Sequence, residues 1–190
     1  ATILLPPTVI TPQSQGVFGV KQFSNVDNVI LKGFEFGYNS PEKNKIGGSI
    51  VASYTYGTIP KTVKYIISGN NIVGKTNLTN DALPEIPPLE TNLKVYYKFL
   101  KGSLIPTLSA RIVADQRHVS EAFYEPYTPG YGLLNFSIFY KINAHITINT
   151  GVDNIFNRAY YEHLNRKIVG TNGKLYEPGR VFFVNLNIAF

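Results

Sequence analysis

The chain has 190 residues, 44% of them hydrophobic, with mean hydropathy −0.04, net charge +6 and pI about 9.4. No run of 18 apolar residues occurs, which excludes a transmembrane helix but not a transmembrane β-barrel, whose strands are half polar. Cys and Met are absent, so the chain offers no disulfide, thiolate or thioether ligand, and its basic residues are too scattered to form a nucleic-acid patch.

Aromatic residues are all Phe and Tyr, and strand formers outweigh helix formers, which points to an all-β chain. Residues 1–15 carry three prolines and no period, and read as a loop or lead-in. A short, weak strand is expected over 16–23. Residues 28–38 alternate, with Ile30, Phe34, Phe36 and Tyr38 on one face and Gly33, Glu35 and Gly37 on the other. A tight turn follows at 40–44. Residues 45–57 set Ile46, Ile50, Ala52, Tyr54 and Tyr56 against Gly47, Ser49, Ser53 and Thr55.

A long connection is expected over 58–88, ending in LPEIPP, which is unfit for a central strand because Pro lacks the ladder N–H. Alternation resumes over 89–100, where Leu93, Val95, Tyr97 and Phe99 oppose Glu90, Asn92, Lys94 and Lys98. After a turn at 101–102, residues 103–115 set Leu104, Leu108, Ala110 and Ile112 against Thr107, Ser109, Arg111 and Asp115. A second long connection covers 116–130. Strands over 131–142 and 145–156 flank a turn at 143–144. A third long connection over 157–178 leads to the terminal strand. There Phe182, Val184, Leu186, Ile188 and Phe190 share one face, and Val181, Phe183, Asn185, Asn187 and Ala189 the other.

Seven segments thus alternate cleanly, each ten to thirteen residues long, and an eighth is weaker. Short turns and long loops also alternate, which places them at opposite ends of an up-and-down sheet, as in outer-membrane barrels. The short link at 24–27 departs from that parity. Strands of this length approach what a bilayer crossing needs. Tyr38, Tyr54, Tyr56, Tyr131 and Tyr140 lie near strand ends, where an interfacial girdle would place them. Two other readings remain at this point. One is a complete eight-stranded barrel with an adhesive or structural role. The other is a soluble β-sandwich with both apolar faces buried.

The run GVDNIFNRAYYEH from Gly151 to His163, EPGR from Glu177 to Arg180, and the terminal Phe190 resemble the C-terminus of TonB-dependent outer-membrane receptors. Asn25 with Gly33, Phe34 and Glu35 resembles that family's N…GxE strand, and LPEIPP its LPxIPP loop end. Gln116-Arg117 and TPGY from Thr128 to Tyr131 also fit, so the resemblance covers residues 16–190. One departure is Asn185, where the family often has Gly. The resemblance implies an antiparallel barrel of roughly twenty-two strands enclosing an N-terminal plug. This chain supplies about eight strands, no plug and no TonB box. No signal peptide is visible at Ala1, so a processed chain or a fragment, the C-terminal portion of a receptor, is expected. The small residues Gly47, Ser49, Ser53, Thr107, Ser109, Asn185 and Asn187 would fill the interior of a closed eight-stranded barrel poorly.

By that resemblance the chain belongs to a transporter of a scarce, large nutrient such as a ferric siderophore, haem, cobalamin or another metal chelate. No catalytic residue, bound cofactor or resident metal is expected. Expected partners are the TonB complex (through the plug), the chelate, outer-membrane lipid and lipopolysaccharide, the rest of the same receptor and a surface lipoprotein, but no nucleic acid. Aromatic and cationic loop side chains suit a flat or anionic ligand. The loop candidates are Arg117, His118, Tyr124, Tyr127, Tyr160, Tyr161, His163 and Arg166. Glu35, Arg111, Asn185 and Asn187 are expected to face the lumen. For Glu35 and Arg111, a charge pair with a neighbouring strand is the simpler role. Asp115, Glu121 and Glu125 have no spacing that fixes a catalytic carboxylate pair, and no nucleophile elbow or phosphate loop appears.

Overall fold

The computed structural model describes residues 2–4, 21–23, 28–68, 71–165 and 174–190. Two three-residue strands, β1 (Thr2–Leu4) and β2 (Lys21–Phe23), pair with each other. β1 falls inside the expected lead-in, and β2 ends the weak strand expected over 16–23. The remainder of that strand and the link at 24–27 lie outside the described residues.

Eight further strands follow: β3 (Ile30–Asn39), β4 (Ile46–Ser68), β5 (Asn71–Ala82), β6 (Glu90–Tyr97), β7 (Leu104–Val113), β8 (Tyr131–Lys141), β9 (Ile146–Asp153) and β10 (Val181–Ile188). They pair in the order β10-β9-β8-β7-β6-β4-β3, with β5 also on β4. The β4–β5, β4–β6, β6–β7, β7–β8, β8–β9 and β9–β10 ladders are all antiparallel. β3 and β10 stand at the two ends of this order, so the described strands close no barrel by themselves. That removes the small closed-barrel reading.

One expected connection is wrong in kind. The strand expected to stop at 57 continues to Ser68, and β5 returns along it from Ser68↔Asn71 to Thr58↔Ala82. The expected long loop over 58–88 is therefore mostly a β-hairpin. Ile59, Thr62, Val63, Tyr65, Ile66 and Ile67 explain it, because β-branched and aromatic side chains suit a pleated surface. Pro60 is tolerated where the ladder is interrupted. The register passes from Ile59↔Asp81 to Lys61↔Thr79, and Asn80, at φ +55°, occupies the intervening position on β5.

The chain forms two units. The first comprises residues 1–32, 55–86 and 117–127, and the second 33–54, 87–116 and 128–190. In the first, the small core lies in the β4–β5 hairpin, where Ile59 is 1% exposed and Ala82 is also buried.

In the second unit the expected faces stay in register across the sheet. One row runs Gly48–Val95–Leu108–Phe136–Val152–Phe182 from β4 to β10, and the adjacent row runs Gly47–Tyr96–Thr107–Ser137–Gly151–Phe183. The first row is apolar and largely open, with Val95, Leu108 and Phe182 exposed and Phe136 and Val152 half-buried between them. Phe182 is 75% and Val184 74% exposed, and Val95, Leu108, Leu186 and Phe190 are exposed with them. A soluble sandwich would have buried this face, so that reading fails. On the second row, aromatic rings lie over glycines. A Cβ on Gly47 would sit 2.3 Å from the Tyr96 ring, and one on Gly151 2.8 Å from the Phe183 ring and 2.4 Å from the Phe136 carbonyl oxygen.

Candidate functional site

In the second unit, the long-loop end of the second face carries an ion cluster. Arg111 and Glu90 lie on the same face of adjacent strands, one pleat apart from direct opposition, since Asn92 is the residue opposite Arg111. The Arg111 guanidinium donates from Nε to Glu90 Oε1 at 2.9 Å and from Nη2 to Oε2 at 2.6 Å, a bidentate fork. Its Nη1 donates to Glu162 Oε1 at 2.5 Å. Glu162 belongs to the third long loop, so Arg111 ties that loop to the strands.

A pair of tilted tyrosine rings completes the cluster. The Arg111 guanidinium lies 5.5 Å from the Tyr131 ring centroid, and Tyr131 packs against Tyr160 at 4.5 Å. Tyr131 is 6% exposed and forms a small core with Val113 and Leu133. Its expected place in an exposed interfacial girdle is thereby corrected. Odd-numbered β8 residues face the side that the loop covers, so Tyr131 supports the loop instead. Burial, and then the carboxylates of Glu177 and Glu162, hold the Tyr160 hydroxyl above its ordinary pKa.

The motif residues around this loop have structural work. Asn154 and Asn157 both adopt left-handed φ, +52° each, which Asn tolerates better than most residues. Asn154 Oδ1 accepts from Arg158 N at 2.9 Å, and its Nδ2 donates to Arg158 O at 2.9 Å. Asn157 Oδ1 accepts from Arg180 N at 2.9 Å, and a Cβ on Gly179 would lie 2.5 Å from it. The DNIFN turn therefore fastens the start of β10. Asn165 Nδ2 donates to Leu175 O at 3.0 Å and Glu177 Oε1 at 2.8 Å, joining the two limbs of the loop. Tyr161 meets Tyr176 edge-on at 5.6 Å, and the Lys174 ammonium lies 4.5 Å from its ring centroid. His163 Nδ1 is 2.9 Å from Thr128 Oγ1.

In the first unit, the loop over 117–127 is pinned to the β4–β5 hairpin. Asp81, 7% exposed, accepts from Ser120 Oγ at 2.6 Å, Glu121 N at 2.9 Å and Ala122 N at 3.1 Å. Glu125 accepts from Ser120 N at 2.9 Å and Glu85 N at 2.7 Å. His118 stacks on Tyr56 at 4.2 Å, and its Nε2 lies 3.0 Å from the Gly57 carbonyl oxygen. That oxygen only accepts, so Nε2 carries the proton and is committed to the contact. Tyr124 donates to Tyr65 O at 2.6 Å, the Lys64 ammonium lies 5.2 Å from its ring centroid, and Arg117 lies 5.8 Å from that of Tyr127.

The loop candidates thus divide between the units: Arg117, His118, Tyr124 and Tyr127 in one, and Tyr160, Tyr161 and His163 in the other. Arg166 lies outside the described residues. Asn185 and Asn187 share a face opposite Asn149 and Thr147 of β9, and Glu35 is exposed on β3. Among the described residues no group of three or more His, Asp or Glu is placed to hold a metal ion. Sequence reasoning missed Glu90, Glu162, Asp81 and Ser120. Only Glu90 carried a signal, an acid on the same polar stripe as Arg111. The loop residues meet their partners through long-range packing.

Strand order, register and the open apolar face are those of a barrel wall, and comparison with known proteins specifies which. Residues 3–155 match the family model described as TonB dependent receptor-like, beta-barrel. The chain belongs to this family. Among solved structures, the copper transporter OprC superposes with TM-score 0.67 at 23% identity, covering 85% of this chain and 24% of that one. The ferric yersiniabactin uptake receptor FyuA from Yersinia pestis gives TM-score 0.60 at 17% identity, with 85% and 24% coverage. The FrpB iron transporter from Neisseria meningitidis gives 0.59 at 17%, with 84% and 23% coverage. At these identities the likeness is one of fold. The chain spans about a quarter of the length of these receptors. No curated protein matches the chain.

Proposed function

We propose that the chain is the C-terminal barrel portion of a TonB-dependent transporter in a bacterial outer membrane, importing a metal ion or metal chelate. The observation that carries this reading is the apolar face on which Val95, Leu108 and Phe182 are exposed, in a chain whose family is a receptor barrel. In water such a face would be costly, whereas against acyl chains it is stable. The opposite face, with Glu35, Arg111, Asn185 and Asn187, borders the lumen. Each unit's long loop supplies its own candidate ligand contacts: Arg117, Tyr124 and Tyr127 in the first, and Tyr161 and Arg166 in the second. His118 and Tyr160 chiefly hold those loops in place. A plug domain elsewhere in the receptor engages TonB, and lipopolysaccharide phosphates and a surface lipoprotein meet the loop end. That the similar structures are a copper transporter, an iron transporter and a ferric yersiniabactin uptake receptor supports a metal or chelate as cargo.

The test is uptake by cells whose other receptors are deleted. With the full receptor present, one radiolabelled ferric chelate or copper species should accumulate, and loss of TonB should abolish that accumulation. A receptor that reaches the outer membrane yet binds and imports none of a broad metal-chelate panel would overturn the reading.

A further inference from the structure

The short-turn end of the second unit carries a feature that transport does not use. The turns β3–β4 and β6–β7 frame a recess of about 430 Å³ lined by residues 42–45 and 98–102. Four of its nine lining residues are Lys43, Lys45, Lys98 and Lys101, against one acid, Glu42. The two turns are joined: Lys98 Nζ donates to the Glu42 carbonyl, and Lys98 N to Lys45 O at 2.8 Å. The second turn is held in an uncommon shape, with φ +48°, +57° and +94° at Leu100, Lys101 and Gly102. It displays Leu100, 66% exposed, beside the exposed Phe99. Phe99 packs against Tyr97 with the rings tilted, centroids 4.3 Å apart, and the Lys45 ammonium lies 5.3 Å from the Tyr97 ring centroid. Below them, Ile46 and Val95 continue the open apolar face.

Cations thus sit directly above an apolar wall. Free phosphate would be served by the lysines alone and gains nothing from exposed Phe99 and Leu100. A phospholipid uses both halves, with its phosphate among the ammonium groups and its acyl chains along Ile46, Val95 and Tyr97. We infer that this recess binds an anionic phospholipid headgroup in the leaflet at the short-turn end. The inference rests on the membrane reading above. Lys43, Lys45 and Lys101 contact the phosphate, while Lys98 joins the turns. Compact ammonium groups on flexible stems suit a phosphate monoanion, and a negatively charged membrane surface draws them to it.

The experiment uses the full receptor reconstituted in vesicles and extracted into detergent, followed by native mass spectrometry against phosphatidylglycerol, phosphatidylcholine and inorganic phosphate. The wild type should retain phosphatidylglycerol at least tenfold better than phosphatidylcholine, and millimolar phosphate should not displace it. The variant K43Q/K45Q/K101Q should lose most of that preference, and K43R/K45R/K101R should keep it. Equal retention of the two lipids by the wild type overturns the inference whether or not the variants fold, and so does displacement by phosphate. Unchanged retention in the glutamine variant, as expected if an acidic protein segment fills the recess, also overturns it. In each of these cases a receptor that inserts in vesicles leaves the transport reading standing. A receptor that fails to insert removes both.

Discussion

Arg111 holds two carboxylates from separate parts of the second unit, Glu90 on β6 and Glu162 on the loop. Its side chain and both partners are less than a third exposed, so the contacts are only partly screened. Arg111→Ala removes the fork and leaves two acids facing each other without their cation. The expected cost is about 2 kcal/mol, seen as a lower midpoint in heat-modifiable gel mobility. Arg111→Lys should recover less than half of it, because one ammonium cannot reproduce a planar fork. If Arg111→Ala melts with the wild type, the clamp has no energetic role. Tyr160 gives a pH signature beside it. A tyrosine in the unfolded chain titrates at about 10, and burial holds the folded group higher. Its contribution to stability is therefore complete below that pH and is lost as pH rises through the folded value. Tyr160→Phe should flatten the fall in melting midpoint as pH rises above about 10.

At the scale of elements, alternation was legible because each face of a strand meets one environment throughout. Ile46, Phe136 and Phe182 announce their strands for that reason. The β4–β5 hairpin was hidden because its side chains follow no such rule: Lys61 and Lys64 interrupt the apolar positions, and Pro60 and Asn80 punctuate the ladder. Asp81 was unreadable for a related reason, since its three donors lie 39 to 41 residues away along the chain. The same contacts make a prediction about the element they fasten. Asp81→Ala releases Ser120, Glu121 and Ala122 together, so the loop over 117–127 loosens while the rest of the sheet persists. Limited trypsin digestion should then cut after Arg117 at least several-fold faster than in the wild type. Asp81→Asn, which keeps one carbonyl acceptor, should fall between the two. Equal cleavage of all three proteins would mean that the hairpin does not hold the loop.

For the molecule as a whole, the sequence carried the family and the two-faced wall, while the loop candidates were legible only as residue types. Tyr131 and Tyr160 look alike on the page, yet one is core and the other its cover. The wall itself yields a test in which neighbouring residues of one strand behave oppositely. Val184 and Asn185 are adjacent on β10, opposite Thr150 and Asn149, and both are exposed. Accessible area alone predicts that lysine is equally tolerated at the two positions. A barrel wall predicts otherwise. At Val184 the ammonium would have to enter hydrocarbon, at a cost of about 2–4 kcal/mol near the bilayer midplane. At Asn185 it would meet water. Val184→Lys should therefore deplete the receptor from the outer membrane and lower its folding yield in lipid vesicles, while Asn185→Lys leaves both within twofold of the wild type. The two variants carry the same added charge on the same strand, so net charge cancels in the comparison; the loss of valine's strand propensity is worth at most about 1 kcal/mol, and the side of the wall must explain the rest of the difference.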